Sequence, residues 1–465
     1  MSAASKAPPA ARVEWWPLVP GLFLAFALLK LGNPVILDHV APPPATLDEA
    51  LTDSWPAKWG YVVLAPVALL AALRWRRPAH VPTWAFALPA LWLAWQFIAA
   101  ATTVDSALTG MVLPQFVAAT VCFAIGLAAG TSTGARWLRL GLLLGLLGVL
   151  VMGFRQQYGG LAASREFFFA NEQTGWRERT PEELQQLEAS RLIVRKADGT
   201  FTINPNLIEK LGKDRIFSTL VSANTFAGVI LLLLPGALGT VWWLTEGRAN
   251  IARGVLLGLV AYMGLACLYW SGSKGGWLCA LLVAGAALLN LPGKNSVKLA
   301  LVLAVGVGGL ALFAGKLQRY FADGARSTVS RWSCWQVAAR TAVSHPLLGT
   351  GPGTFFRIYQ REKPPEVETS RLTHNDYLQQ AADSGLVGGV AFTGFVAASV
   401  LVLGRRTRGD WPLFTVWLGV LGWALQTFVE FGLYVPGVAW PAFALLGWLW
   451  GVVPAAIPRA ANDAA

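Results

Sequence analysis

Charge is scarce in this chain. Only 13% of its 465 residues are Asp, Glu, Lys or Arg, about half the share a soluble globular domain carries. That shortfall excludes an ordinary soluble fold. Cysteine is scarce too. Cys122, Cys267 and Cys279 fall in apolar runs and Cys334 in a polar one. No two share a polar loop, which argues against a disulfide framework, and no Cys/His spacing fits zinc. The phosphate loop Gly-x-x-x-x-Gly-Lys-Ser/Thr is missing, as is any Asp-x-Asp metal pair. No cofactor is therefore implied. If the chain handles an activated phosphate, side-chain cations must balance the leaving-group charge. The net charge of +12 and pI near 9.8 would suit nucleic acid in a soluble protein. No compact basic domain exists here, so nucleic-acid binding is not expected.

Apolar residues fill the gap. They make up 55% of the chain, and mean hydropathy is +0.51. Twelve apolar runs are long enough, or nearly so, to cross a bilayer. The expected fold is an all-α polytopic membrane protein of about twelve transmembrane helices in one body. Tryptophans at the ends of the runs, Trp15, Trp16, Trp59, Trp75, Trp270, Trp332 and Trp440, fit an interfacial belt.

Cations fall in every second loop. Lys6 and Arg12 precede run 1; Arg74, Arg76 and Arg77 follow run 2; Arg136 and Arg139 follow run 4. Arg248 and Arg253, Lys294 and Lys298, Arg405, Arg406 and Arg408, and Arg459 continue the pattern. The positive-inside rule then places both termini in the cytoplasm. The first run lacks a small-residue cleavage site and reads as an uncleaved anchor. The expected organisation is helices 1–5 over 1–154, a first periplasmic loop over 155–218, helices 6–9 over 219–315, a large periplasmic loop over 316–384, and helices 10–12 with a tail over 385–465.

The first loop carries Thr180-Pro181-Glu182-Glu183, a helix start with a capping box. Asp198-Gly199 lies between two short apolar stretches and predicts a hairpin. A structural cap or a family-specific insertion is favoured over direct substrate contact. Pro42-Pro43-Pro44 reads as a rigid turn. In the second loop, a helix is expected from Ser327, presenting Trp332, Trp335 and Ala339 on one face, until His345-Pro346 ends it. Gly349, Gly351 and Gly353 follow in a tight turn. A second helix is expected from about Thr373.

His374, at that helix start, is the leading chemical candidate, because an imidazole can accept a proton near neutral pH. Asp376 or Asp383 could orient or tune it. A solvated or capping histidine is the plainer alternative. Arg331 could grip an anionic group with its planar fork, or simply face phospholipid. Lys274, in Ser271-Gly272-Ser273-Lys274-Gly275-Gly276-Trp277, stands in a short outer loop where cations are rare; a snorkelling role competes. Arg215, Asn224 and Glu430 lie at outer ends of apolar runs, where function and helix packing are both plausible.

In their order these motifs resemble the O-antigen ligase and polymerase superfamily. The resemblance runs from about helix 4 to helix 12. Its most specific part is Arg331 and Trp335, His345-Pro346-Leu347-Leu348-Gly349-Thr350-Gly351, Phe355, His374-Asn375-Asp376-Tyr377-Leu378-Gln379, and Gly385-Leu386-Val387-Gly388. Arg215 with Asn224-Thr225-Phe226-Ala227 resembles an upstream family element. Lys274 stands where relatives carry arginine, keeping the charge but losing the bidentate fork.

The resemblance implies a metal-independent, inverting membrane glycosyltransferase in the bacterial inner membrane, with its site facing the periplasm. The donor would be an undecaprenyl-diphosphate-linked glycan and the acceptor a lipid A core or another glycan. His374 would deprotonate the acceptor hydroxyl. Arg331, Lys274 and Arg215 would hold the diphosphate, with Asn224, Asn375, Asp376 and Glu430 in the substrate site. A polymerase, a protein O-oligosaccharyltransferase and, from another class, a small-anion transporter are the alternatives. A transporter should show a midplane polar site, whereas here the ionisable residues gather at the outer ends of nearly uncharged runs.

Overall fold

The computed structural model describes residues 13–453 apart from 41–42, 45, 190–191, 197, 213, 323–325 and 366. Lys6, Arg12, Pro42 and Arg459 lie outside the described residues. The protein is mostly helical, and helices cover all twelve apolar runs. Among the described residues, five are long and apolar enough to cross a membrane: Ser106–Gly130, Arg136–Gln173, Ala223–Leu244, Asn250–Ser271 and Asp376–Thr407. Shorter apolar helices include Leu18–Lys30, Lys274–Leu289 and Pro436–Val452 and the 16-residue Trp411–Gln426.

Side-chain caps start several of these helices where the sequence turns from polar to apolar. Ser222 accepts from Thr225 N, Ser273 from Gly276 N, Asn375 from Leu378 N and Asp410 from Leu413 N. Each satisfies an N–H that the helix itself cannot.

The tightest helix pair is Ser106–Gly130 against Pro436–Val452. Gly126 and Gly130 face Gly447 and Gly451, with each pair four residues apart. A Cβ added at Gly126 would land on the Ala444 carbonyl oxygen, and one at Gly447 on that of Phe123. Small residues at this spacing let backbones close up where lipid supplies no hydrophobic drive between helices. The Asn250–Ser271 helix does the opposite. Ile251, Val255, Leu259 and Tyr262 are exposed along it, as suits a surface solvated by acyl chains.

Tryptophan is divided between two roles. Trp15 and Trp75 are exposed at helix ends, and Trp332 is exposed within Arg326–Ser344. Trp440 departs from the interfacial expectation: it is fully buried, stacked 5.6 Å from Phe23 and donating to Gln115 Oε1 at 3.0 Å. Its indole N–H finds a polar partner inside the bundle, so the ring needs no water interface.

The first long loop is folded. The Arg136–Arg155 helix continues through a single wide turn at Gln156–Gly160 into Leu161–Gln173. The Thr180–Glu183 capping box forms in both directions, at 3.0 and 3.3 Å. Strand β1 (Ile193–Arg195) pairs antiparallel with β2 (Phe201–Ile203), and Asp198 Oδ1 accepts from Thr200 N to close the turn. Phe168, Trp176, Ile193, Ile203 and Leu211 make a core separate from the bundle.

In the second loop, Arg326–Ser344 is a helix that stops before His345-Pro346. The glycine turn then wraps onto Asp376–Thr407. Asp383 Oδ2 accepts from Gly353 N at 3.0 Å and Oδ1 from Phe355 N at 2.9 Å, while Gly351 N donates to Asp383 O at 2.8 Å. Immediately after Asp383 the helix kinks at Ser384 and Gly385, the latter at φ 71°. A Cβ at Gly385 would collide with the Leu347 carbonyl, so glycine is required there on two counts. This kink separates the polar start of the helix from its apolar remainder.

Candidate functional site

The site forms where four chain segments meet at one end of the bundle. Its centre is Glu430, in the loop between Gln426 and the short turn Gly432–Tyr434. The loop is held in place by Asp376. The Asp376 N–H donates to Thr427 O at 3.0 Å, and its Oδ2 accepts from Leu433 N at 2.9 Å. Asp376 is wholly buried. It joins the start of one helix to the loop that follows another.

Glu430 is 3% exposed. Its Oε1 accepts from Arg331 Nη2 at 2.8 Å and lies 3.7 Å from His374 Nδ1. Arg331 reaches it from Arg326–Ser344, across 99 residues of sequence. His374 reaches it through an unusual backbone. Its φ is +53°, in the left-handed region that side chains other than glycine seldom adopt. Strain of this kind persists when surrounding contacts hold it, and it concentrates at functional sites. The contacts here are Phe431, edge-on at 5.0 Å, and the Glu430 carboxylate. The ring remains 26% exposed, although Nδ1 is buried.

Burial pushes the Glu430 carboxyl up, but the His374 contact, the Arg331 charge and the Asn224 amide together outweigh it and hold the group below the usual carboxylate range.

Arg215 stands beside this group. Its Nε donates to Ser271 O and its Nη2 to Asn224 Oδ1, both at 2.7 Å. Burial brings its pKa below the ordinary arginine value; Glu430 opposes that fall and the like charge of Arg331 adds to it. Gly272, at φ 59°, ends Asn250–Ser271 in a left-handed cap. A Cβ added there would sit 3.3 Å from Arg215 Nε, so the small residue leaves the arginine room. Lys274 opens the next helix, directly after the Ser273 cap. A Cβ at Gly275 would touch Val429 at 3.1 Å, which puts the start of the Lys274 helix against the Glu430 loop.

The structure thus brings His374, Arg331, Glu430, Arg215 and Asn224 into one linked group, with Lys274 on an adjoining helix start. Asn375 and Asp376 each accept from a backbone amide. Asn375 caps its helix through Leu378 N at 3.0 Å, and Asp376 binds the Leu433 amide. Neither Asp376 nor Asp383 orients His374, contrary to the sequence expectation. The left-handed backbone at His374 turns its ring toward Phe431 and Glu430, while both aspartates are occupied by backbone amides. Glu430 is the carboxylate that meets the imidazole. The sequence marks it only as an acid at the end of an apolar run, with nothing to reveal its partner.

Residues 259–393 match the family model described as O-antigen ligase. The matched segment, less than half of the chain, is similar to that family and supports the resemblance to the O-antigen ligase superfamily. No curated protein matches the chain. The matched segment contains Lys274, Arg331, His374, Asn375 and Asp376; Arg215, Asn224 and Glu430 lie outside it. The superfamily points to a membrane glycosyltransferase of O-antigen ligase or polymerase type, with a lipid-linked glycan donor and a glycan acceptor.

Proposed function

We propose that the protein transfers a glycan from an undecaprenyl-diphosphate carrier to an acceptor hydroxyl at the periplasmic face of the inner membrane, in the manner of an O-antigen ligase acting on lipid A core. The observation that carries this reading is the shared contact of Arg331 and His374 with one buried carboxylate, Glu430. A base and an anion-binding group are thereby set side by side, as a displacement with an anionic leaving group requires.

In this reaction His374 removes the proton from the acceptor hydroxyl. The oxygen attacks the anomeric carbon, the bond from that carbon to the diphosphate breaks, and its electron pair leaves with the diphosphate. Configuration at the carbon inverts. Nδ1 faces Glu430, so the proton arrives at Nε2, and the carboxylate stabilises the imidazolium that forms. Arg331, Arg215 and Lys274 receive the negative charge on the departing diphosphate in a metal-independent reaction. Arg215 is already anchored by Ser271 and Asn224, which spares the entropy of ordering it during the reaction. Lys274 binds as a point charge. The folded 155–218 loop, joined to the site through Arg215, caps it and shapes acceptor choice.

The direct test is a purified transfer assay with lipid-linked donor. His374→Ala should abolish transfer while leaving the protein folded; full transfer by that variant refutes the assignment. Deletion of the gene, with separate analysis of carrier-linked and lipid-A-linked glycans, distinguishes the two family activities. Long carrier-linked chains that fail to reach lipid A mark a ligase, and single unpolymerised repeats mark a polymerase.

A further inference from the structure

Arg215 lies on a short irregular stretch, residues 214–222, that leads from the first long loop to the Ser222 cap of Ala223–Leu244. A stretch without helix or strand has to place its backbone N–H and C=O groups one by one. Gln156 places three of them. This residue opens the wide turn Gln156–Gly160, at the other end of the loop in sequence. Its Oε1 accepts from Phe217 N at 3.0 Å and from Ser218 N at 2.7 Å, and its Nε2 donates to Ser218 O at 2.9 Å. A side-chain amide carries an acceptor and a donor together, so one residue serves both kinds of group.

Ser218 depends on this support. Its φ is +54°, in the left-handed region, where a residue other than glycine is strained unless its surroundings hold it. It is 6% exposed, and a backbone group that loses its partner at such depth stays unpaired at a cost. Its Oγ donates to Val149 O at 2.5 Å, about two turns back from Gln156 on the same helix. Other ties on the stretch fall to either side. Ile216 N donates to Trp270 O at 3.3 Å, and Thr219 Oγ1 to Leu28 O at 2.8 Å. Arg165 pairs with Asp214 at 2.6 Å, but that aspartate side chain is 90% exposed, and such a pair contributes little. Gln156 therefore decides the backbone just after Arg215.

We infer that Gln156 is a positioning residue for Arg215. By fixing the reversed backbone at Ser218 it keeps Arg215 between the two groups that aim its guanidinium, Ser271 O and Asn224 Oδ1. Asn224 stands on the helix into which the stretch leads, so the stretch sets the arginine against its own anchor. A loosened turn at 217–218 leaves Arg215 to be ordered when the donor binds, and that entropic cost falls on donor affinity. The inference rests on the reading of Arg215 as a ligand of the donor diphosphate.

Steady-state transfer by the purified full chain, with hydrogen exchange on the same samples, tests it. Gln156→Met keeps the side chain's length and removes its hydrogen bonds. The amides of Phe217 and Ser218 should then exchange faster, while those of Pro436–Val452 do not change. Donor KM should rise about tenfold, the worth of one to two hydrogen bonds. With kcat held within about twofold, that split differs from a general loss of folded protein, which lowers kcat alone. In an Arg215→Ala background the same substitution should add nothing to donor KM, because the residue it acts through is gone. Should Gln156→Met fail to fold, Gln156→Asn draws the amide back by one methylene and should shift exchange and donor KM in the same directions. Unchanged exchange at 217–218, or unchanged donor KM in a folded variant, overturns the inference. So does an additive effect in the Arg215→Ala background, which marks Gln156 as structural only. If Arg215→Ala alone leaves donor KM unchanged, the diphosphate reading of Arg215 fails and takes the inference with it, whatever the exchange shows.

Discussion

Glu430→Gln is the most informative single change at the proposed site. Glutamine keeps the shape and an oxygen that can still accept from Arg331 Nη2, the 2.8 Å contact. What it removes is the negative charge 3.7 Å from His374 Nδ1. At an effective dielectric of about 20, unit charges at that distance attract by about 4.5 kcal/mol. Roughly half of the proton's charge reaches the imidazole at the transition state, and the ring is partly exposed, so about 2 kcal/mol is the expected loss. That corresponds to about a thirtyfold fall in kcat. The measurement is steady-state transfer from a lipid-linked donor by purified protein. The split between constants discriminates the roles. If Glu430 supports the base, kcat falls and the donor KM changes little; if it only anchors Arg331, donor KM rises instead. Glu430→Asp should recover part of the rate. A Glu430→Gln enzyme within about threefold of wild type in kcat would refute the electrostatic reasoning, since the Coulomb interaction could not then contribute at this distance.

Three further outcomes follow from the geometry. Lys274→Ala should raise the donor KM and Lys274→Arg should preserve it; unchanged donor affinity in the alanine variant removes Lys274 from the diphosphate site. Asp383→Ala strands the buried Gly353 and Phe355 amides, at about 1–3 kcal/mol each, and should lower the thermal midpoint markedly in a detergent unfolding assay. Because the folded-state pKa of Glu430 lies below its ordinary 4.5, its stabilising contribution is complete above that value and disappears as pH falls through the depressed one. Acid titration of stability should therefore be shallower in Glu430→Gln than in wild type, and identical curves would show that the carboxylate contributes nothing.

What could be read from sequence, and what could not, follows the range of the interactions. Hydrophobic runs, the Thr180 capping box, the Asp198-Gly199 turn and the stop before His345-Pro346 are local, and each forms where the residues dictate. Trp440 misled because an indole at the end of an apolar run has the same signature whether it meets water or Gln115 Oε1; only the packing of helices distant in sequence decides. The site is still less local. Glu430 acquires its partners from residues 99 and 56 positions away, and Asp376, which looked like a tuner of the histidine two residues before it, instead fixes the loop that carries Glu430. That division of labour has a physical cause. A carboxylate on the same helix start as His374 is drawn to backbone amides needing an acceptor, whereas one presented from a separate loop is free to face the ring. The Asp376 clasp on Thr427 and Leu433 thus does indirectly what its sequence position suggested it would do directly: it sets where a carboxylate stands relative to His374. Its loss should disturb the histidine by moving Glu430.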